Sequence, residues 1–549
     1  MTLEEQFPVF GQALQRHRAG DLEGARALYQ QLVELPPLTA RCLQQLGVLA
    51  RQRGEKLVAA NLFKHSLRLE PANLSVYVDL ANALLVLGHT GAALGVLLDQ
   101  GAALQTMGRY TDAEMPYREI LALDPLNYGA YVNLGTCLAQ TYRTAEAVEC
   151  IFKALYLYGR LDKQVADFAI ELGAQVADRV FVPDANTMPP GKPTGSIEKI
   201  EDALTTLGKL MTECACLREA VQCHRQSIRM AAGFALAHWN LSLALLSIGD
   251  YEEGWREYEW RWHWSEFPQP RRKLPVRTWQ GEPLAGKRVY VWAEQGFGDA
   301  MQFCNLVTRL ANAGAVVTYE VATPLVRLMR ASLENVRVVD AAQAQSTPLD
   351  ADAFDYAVPQ ISLPALLQLK VDDLPLACGY LQASHDAVVR WAARLPMTDN
   401  LRVGLVWEGR KRPDPRRSIA FAQLMPLFAR RTVTWFSLQV GEAQQNIPAA
   451  GNAAIENLAP HLTDFAETAA AITNLDLVVT IDSAVAHLAA GLAKPVWLLL
   501  PKVADWRWQS AVGASRWYPT LRVFQQNDDG QWDSVIAAVC DAMDTHERN

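Results

Sequence analysis

The first half of the chain repeats one pattern of small, aromatic and polar positions. "GDLEGARALYQQLVELPP" (20–37), "GEKLVAANLFKHSLRLEPAN" (54–73) and "GRYTDAEMPYREILALDPLN" (108–127) each open on a glycine turn. Each then places an alanine (Ala25, Ala59, Ala113), an aromatic ring four residues on (Tyr29, Phe63, Tyr117) and a closing proline (Pro37, Pro71, Pro125). A spacing of four puts the alanine and the ring on one helix face. The alanine admits a neighbouring helix, the ring fills the space between units, and proline stops the helix. "LQQLGVLARQRG" and "YVNLGTCLAQTYR" supply the preceding helices. The first two alanines lie 34 residues apart, but Ala113 follows Ala59 by 54 rather than 68, so the register slips between 74 and 107. "DANTMPPGKPTGS" (184–196) reads as a loop or linker, and helical repeats resume at 203–228 and 237–262.

This helix-turn-helix unit resembles the tetratricopeptide repeat. About six units are expected, some degenerate, over 1–183 and 199–270 with a linker at 184–198. Stacked units of that kind present a groove suited to a peptide or protein, so an acceptor or partner protein is expected there; self-association is the other use. "GWREYEWRWHW" (254–264) sets Trp255, Tyr258 and Trp262 at i, i+3 and i+7, a packed helix face expected to dock the repeats onto the C-terminal half.

From residue 286 the periodicity changes. "KRVYVWA", "AVVTYEVA" and "VRVVD" are apolar strands, with helices "DAMQFCNLVTRLANAG" and "PLVRLMRASL" between them. "FDYAVPQISLPALLQL" adds a strand and turn. The order restarts at "RVGLVWEG" with a helix at "IAFAQLMPLFAR", then "TVTWFSLQV", "FAETAAAITNL", "DLVVTI", "AVAHLAAGLA" and "PVWLLLP". Alternation of this kind predicts two parallel, doubly wound domains, 284–396 and 400–549, the second closed by a terminal helix "WDSVIAAVCDAMDTHE" that crosses back onto the first. Ligands of such sheets bind beyond the carboxyl ends of the strands, so two facing sheets define a cleft. That architecture is the GT-B fold of glycosyltransferases.

Composition narrows the function classes. The 549 residues carry a net charge of −8, which argues against nucleic acid as the main partner. Nine cysteines without a CxxC pair are not a disulfide framework; Cys214 and Cys216, separated by one residue, make a poor zinc site. The N-terminus lacks a basic region followed by an apolar run, and no apolar run approaches the ~20 residues of a membrane span, so a cytoplasmic protein with reduced thiols is expected.

"WAEQGFGDAMQFCNLV", "VGLVWEGRKRPDPRRSI", "FSLQVGE", "TIDSAVAHLAAGLAKPVWLLLPKVADWRW" and "WYPTLRVFQQ" resemble bacterial glycosyltransferases that join tetratricopeptide repeats to a heptosyltransferase-like catalytic region. The likeness runs over about 250–540, and some members of the group are similar to flagellin glycosyltransferases, which modify Ser/Thr hydroxyls. It implies an inverting, metal-independent enzyme with a nucleotide sugar as substrate and no required cofactor. The other readings are a lipid or lipopolysaccharide sugar transferase and a non-catalytic scaffold with a degenerate cleft.

The residues themselves carry part of this chemistry. Asp482 and Ser483 stand at a strand end, with a helix opening at Ala484. That helix end offers free N–H groups and the positive end of its dipole to a phosphate. His487 lies one turn further along the same face. Asp482 as a helix cap and His487 as a packed ring are the bland alternatives. Five basic side chains follow the first strand of the second domain; Lys411 and Arg417 are the candidates for the donor phosphates, against a solvated loop. In "EQGFGD", Gln295, Gly296 and Gly298 form a turn that would let an acceptor approach closely, and Asp299 comes next. The resemblance implies Asp299 as the base; the preference of Asp for helix N-termini gives it a structural role instead. "GFGDAM" lacks the third glycine of a dinucleotide fingerprint, "DAD" (350–352) reads as a surface loop rather than a metal site, and Trp506 and Trp508 suit either sugar stacking or packing.

Overall fold

The computed structural model describes residues 7–195, 200–346, 349–375, 378–410, 414–447, 455–508, 515–527 and 530–546. Its chain forms two compact units, Met1–Ala231 and Ala232–Asn549. The boundary falls inside the 199–270 stretch and not at the 184–198 loop. That loop belongs to the first unit: Thr194 bridges Asn127, and Arg160 Nη1 donates to the carbonyls of Pro189 and Gly191 at 2.8 and 3.0 Å.

The first unit is built of helices: α1 Pro8–Arg18, α2 Leu22–Leu32, α3 Thr39–Gln52, α4 Lys56–Leu69, α5 Leu74–Val86, α6 Thr90–Thr106, α7 Tyr110–Leu123, α8 Tyr128–Gln140, α9 Thr144–Gly159, α10 Lys163–Val176, α11 Ile200–Glu213 and α12 Leu217–Met230. Ala25, Ala59, Ala113, Tyr29, Phe63 and Tyr117 are fully buried. A glycine on one helix admits a side chain sixteen residues later on the next. A Cβ on Gly47 would meet Phe63 at 2.6 Å, on Gly101 Tyr117 at 2.4 Å, on Gly135 Ile151 at 2.7 Å, and on Gly208 His224 at 2.5 Å.

This packing explains the slipped register. Gly101 makes α6 the first helix of the pair α6–α7, yet α6 also packs on α5, where buried Ala81 and Leu97 stand at the same spacing of sixteen. One helix therefore serves as the second member of one pair and the first member of the next.

The second unit opens with α13 Ala235–Ile248 and α14 Tyr251–Tyr258. Two parallel sheets come after them. The first contains β1 Arg288–Trp292, β2 Val316–Val321, β3 Val336–Asp340 and β4 Tyr356–Pro359 in the order β3-β2-β1-β4, with helices α15 Phe297–Asn312 and α16 Val326–Ser332 between strands. Val289 and Val291 face the helix side, while Tyr290 and Trp292 point to the other face. There the extended segment around Leu274 and Val276 covers them, in place of a helix.

After α17 His385–Arg394 comes the second sheet: β5 Leu401–Val406, β6 Val433–Ser437, β7 Ile455–Asn457, α18 Phe465–Thr473, β8 Leu477–Ile481, α19 Ala484–Gly491, β9 Val496–Leu500, β10 Leu521–Gln525 and the last helix α20 Trp532–His546. Its strand order is β10-β9-β8-β5-β6-β7. Two such domains form the GT-B arrangement. "IAFAQLMPLFAR" is a 3-10 segment over Phe421–Ala429 with Pro426 inside it, whereas α7 stays α-helical around its own Pro116. The terminal helix α20, expected to cross back onto the first domain, makes its main contacts elsewhere. It packs on this 3-10 segment and on β10, and Arg430 pairs with Asp544 at 2.9 Å, so it closes its own domain.

Candidate functional site

The turn after β1 is fixed from both sides. Glu294 is buried and pairs with the equally buried Arg261 at 2.8 Å; it also accepts the Ile361 N–H at 3.2 Å. Burial raises the Glu294 pKa despite Arg261, and every lone pair it spends this way is structural. Gln295 takes a left-handed conformation, φ +64°, uncommon outside glycine. Its side-chain amide is held by the Tyr258 hydroxyl at 2.9 Å, so the aromatic helix α14 braces the turn.

Gly296 then caps α15, and Asp299, in the first turn, accepts its N–H through Oδ2 at 2.8 Å. The other oxygen, Oδ1, accepts from Arg507 of the second domain. Asp299 is thus a cap and an ion-pair partner at once. Arg507 lies in the 3-10 turn Trp506–Trp508. It donates to Asp505 Oδ1 at 2.8 Å and to Gln302 Oε1 at 2.9 Å, with its guanidinium 4.3 Å over the Trp506 ring. Burial opposes its charge, but Asp505 and Asp299 more than offset that and hold it protonated.

Trp506 and Trp508 are buried and pack. Trp506 meets Trp255 edge-on at 5.3 Å, which ties the "GWREYEWRWHW" cluster to the cleft within this unit.

The facing half starts where β8 ends. β5 and β8 are neighbouring strands, so the loop after β5 and the turn after β8 meet at their carboxyl ends. Arg417 Nη1 accordingly stands 3.6 Å from Asp482 Oδ2. Arg417 also donates to the Arg410 carbonyl at 3.2 Å, while its buried Nε has no hydrogen-bond partner. Burial raises the Asp482 pKa, the Asp505 charge adds to the rise, and Arg417 opposes it. Ser483 precedes α19 in extended conformation, but its hydroxyl pairs with Thr480 Oγ1 at 3.0 Å and does not cap the helix. The N–H groups opening at Ala484 are therefore left without a side-chain cap. Lys411 lies outside the described residues.

The two helix starts touch. A Cβ on Gly298 would lie 2.7 Å from Cδ2 of His487, so what approaches this glycine closely is the His487 ring, not open space for an acceptor. His487 is buried, and its Nδ1 bonds the Tyr518 hydroxyl at 2.8 Å. Its ring packs 4.9 Å from Trp508. Burial, with Arg507 adding to it, lowers its pKa to about 3, so it is a neutral, packed imidazole.

The sequence reading brought out Asp299, Asp482, Ser483, Arg417 and His487 and missed Arg507, Asp505 and Tyr518. The signal for Arg507 was a single cation between two tryptophans in "DWRW". Asp350 of "DAD" accepts the Asp352 N–H in a short turn. Among the described residues, no group of three or more His, Cys, Asp or Glu side chains is placed to hold a metal ion. No described helix is long and apolar enough to cross a membrane.

Residues 434–499, from β6 to β9, match the family described as glycosyltransferase family 9 (heptosyltransferase), and residues 98–164 match the tetratricopeptide repeat. The first stretch contains Asp482, Ser483 and His487 and excludes Asp299 and Arg507. The glycosyltransferase-like stretch lies in the second unit and the repeat-like stretch in the first. It is similar to Protein FlbA of Caulobacter vibrioides, with 24% identity over 484 residues, 82% of this chain and 80% of the relative. Among solved structures it resembles the E. coli ADP-heptose LPS heptosyltransferase II, 14% identical with a TM-score of 0.35 over 47% of this chain and 98% of that one. It also resembles a family 9 glycosyltransferase of Veillonella parvula, 15% identical with a TM-score of 0.35 over 48% of this chain and 98% of that one.

Proposed function

We propose that this protein moves a sugar from a nucleotide-sugar donor to a Ser/Thr hydroxyl of an acceptor protein recruited by its repeats. The observation that carries the reading is the meeting of two helix starts, α15 with Asp299 and α19 with Asp482 and Arg417, at the carboxyl ends of two parallel sheets. The uncapped N–H groups at Ala484, with Ser483, Arg417 and Lys411, take the donor diphosphate. Asp482 hydrogen-bonds donor hydroxyls. Asp299 accepts the proton of the attacking hydroxyl in a single displacement, which inverts the anomeric centre. Leaving-group charge falls on arginine and a helix end, so no metal is required. His487 supports this site by packing rather than by proton transfer. We place the enzyme in the cytoplasm, and flagellin is the first acceptor to try.

Intact-mass analysis with a candidate acceptor protein and mixed nucleotide sugars tests the reading. Mass added to the protein supports it. Sugar transferred only to lipid, or no donor turnover with any nucleotide sugar, overturns it in favour of a lipid-directed enzyme or a scaffold.

A further inference from the structure

Both oxygens of Asp299 are occupied, Oδ2 by the Gly296 N–H and Oδ1 by Arg507. Each oxygen has a second lone pair, but a charge-assisted donor already on Oδ1 makes that oxygen a weaker partner for an incoming hydroxyl. Arg507 is itself shared among Asp299 and Gln302 on α15 and Asp505 on its own loop. Trp508, the next residue, packs 4.9 Å from the His487 ring in the first turn of α19, so Arg507 stands near the uncapped start of that helix. A diphosphate seated there offers a guanidinium more charge and more acceptor oxygens than one carboxylate does. Trp506, packed against Trp255 and Trp517, carries the guanidinium on its face while Arg507 bonds Asp299 and Asp505.

We infer that Arg507 is a donor-sensitive positioning residue: it occupies Asp299 while the donor seat is empty, and a nucleoside diphosphate draws it away, exposing Asp299 Oδ1 to the acceptor hydroxyl. This rests on the donor-site reading above. In the transfer step, the acceptor oxygen bonds the anomeric carbon and its proton passes to Asp299 Oδ1. The bond from that carbon to the diphosphate breaks, and the electron pair leaves on the diphosphate beside Arg507. The device makes donor binding a precondition for base activity.

Calorimetric titration of the full chain with UDP, GDP and ADP tests this. The nucleotide that binds is carried to Asp299→Asn, which keeps an acceptor for the Gly296 N–H, and to Arg507→Gln and Arg507→Lys. Arg507 is expected to bind the nucleotide more readily once Asp299 no longer competes, so Asp299→Asn tightens binding roughly fivefold, at the low end of ordinary coupling between sites. Arg507→Gln weakens it about tenfold or more, and Arg507→Lys falls between. Binding seen only with Asp299→Asn also supports the inference. Unchanged or weaker binding by a folded Asp299→Asn overturns it and leaves the donor site standing. No binding by wild type and Asp299→Asn alike overturns the donor site and this inference together.

Discussion

The ring of His487 occupies the space where a side chain on residue 298 would begin, 2.7 Å from a Cβ built on Gly298. This contact joins the first turns of α15 and α19, one from each sheet. It sets how closely the two candidate anion-handling turns approach.

Gly298→Ala therefore overpacks the junction. The atom it would strike belongs to a buried ring with its own hydrogen bond, so it has little room to yield. A loss of about 1–3 kcal/mol is expected, read as a fall in melting temperature. A second change, His487→Ala, should recover part of that loss. An unchanged melt for Gly298→Ala would show that the helices do not meet this way.

Asp299→Asn separates the two roles of the carboxylate. An amide still accepts the Gly296 N–H, so the fold should hold. Proton acceptance is lost, and transfer is expected to fall roughly 10²–10⁴-fold. Measured rates within a few-fold of wild type, with correct folding, would remove Asp299 as the base.

His224 gives the repeats a pH dependence. It is buried against Gly208, its Nδ1 has no partner, and burial lowers its pKa to about 3 from an ordinary 6.5. In the folded state it stays neutral, whereas the unfolded chain takes up a proton below about 6.5. The stability it permits is present above that pH and drains away as pH falls toward 3. At pH 5 this amounts to about 2 kcal/mol. Melts of wild type and His224→Leu at pH 8 and pH 5 should diverge in favour of the variant at the lower pH; parallel shifts would contradict it.

Glu294→Ala strips a carboxylate from a buried arginine. Arg261 retains Glu259 at 2.6 Å, but its pairing at 2.8 Å inside the core is gone. A cost of about 3 kcal/mol is expected, the low end for a buried pair broken on one side. Denaturant unfolding of the variant checks it, and a midpoint equal to wild type would contradict it.

Much of the fold lies in local signals. Runs such as "RVYVW" and "LVVTI" are strands because they are short, apolar and bounded by turns and helices. The helix starts at Phe297 and Ala484 arise from strand-end turns in the same way. What local pattern could not reveal is pairing at a distance. Arg507 and Asp299 are 208 residues apart, and nothing near either names the other. The sequence offers Asp482 as the helix cap, yet the cap position falls on Ser483, whose hydroxyl is claimed by Thr480 three residues back. The 3-10 form of Phe421–Ala429 was not legible from Pro426, because α7 stays α-helical around Pro116. β10 shows only a modest apolar run, "LRVFQ", and owes its place to the ladder with β9.

The doubly used helix α6 acts as a stacking fault in an otherwise periodic array. On either side of it, 34 residues constitute an exchangeable module; across it they do not, because removing one module there also removes half of its neighbour. Cuts and grafts that keep α5, α6 and α7 together preserve the phase of both flanks. A swap that breaks between α6 and α7 leaves Tyr117 without the Gly101 notch it fills, and every later pair inherits the mismatch.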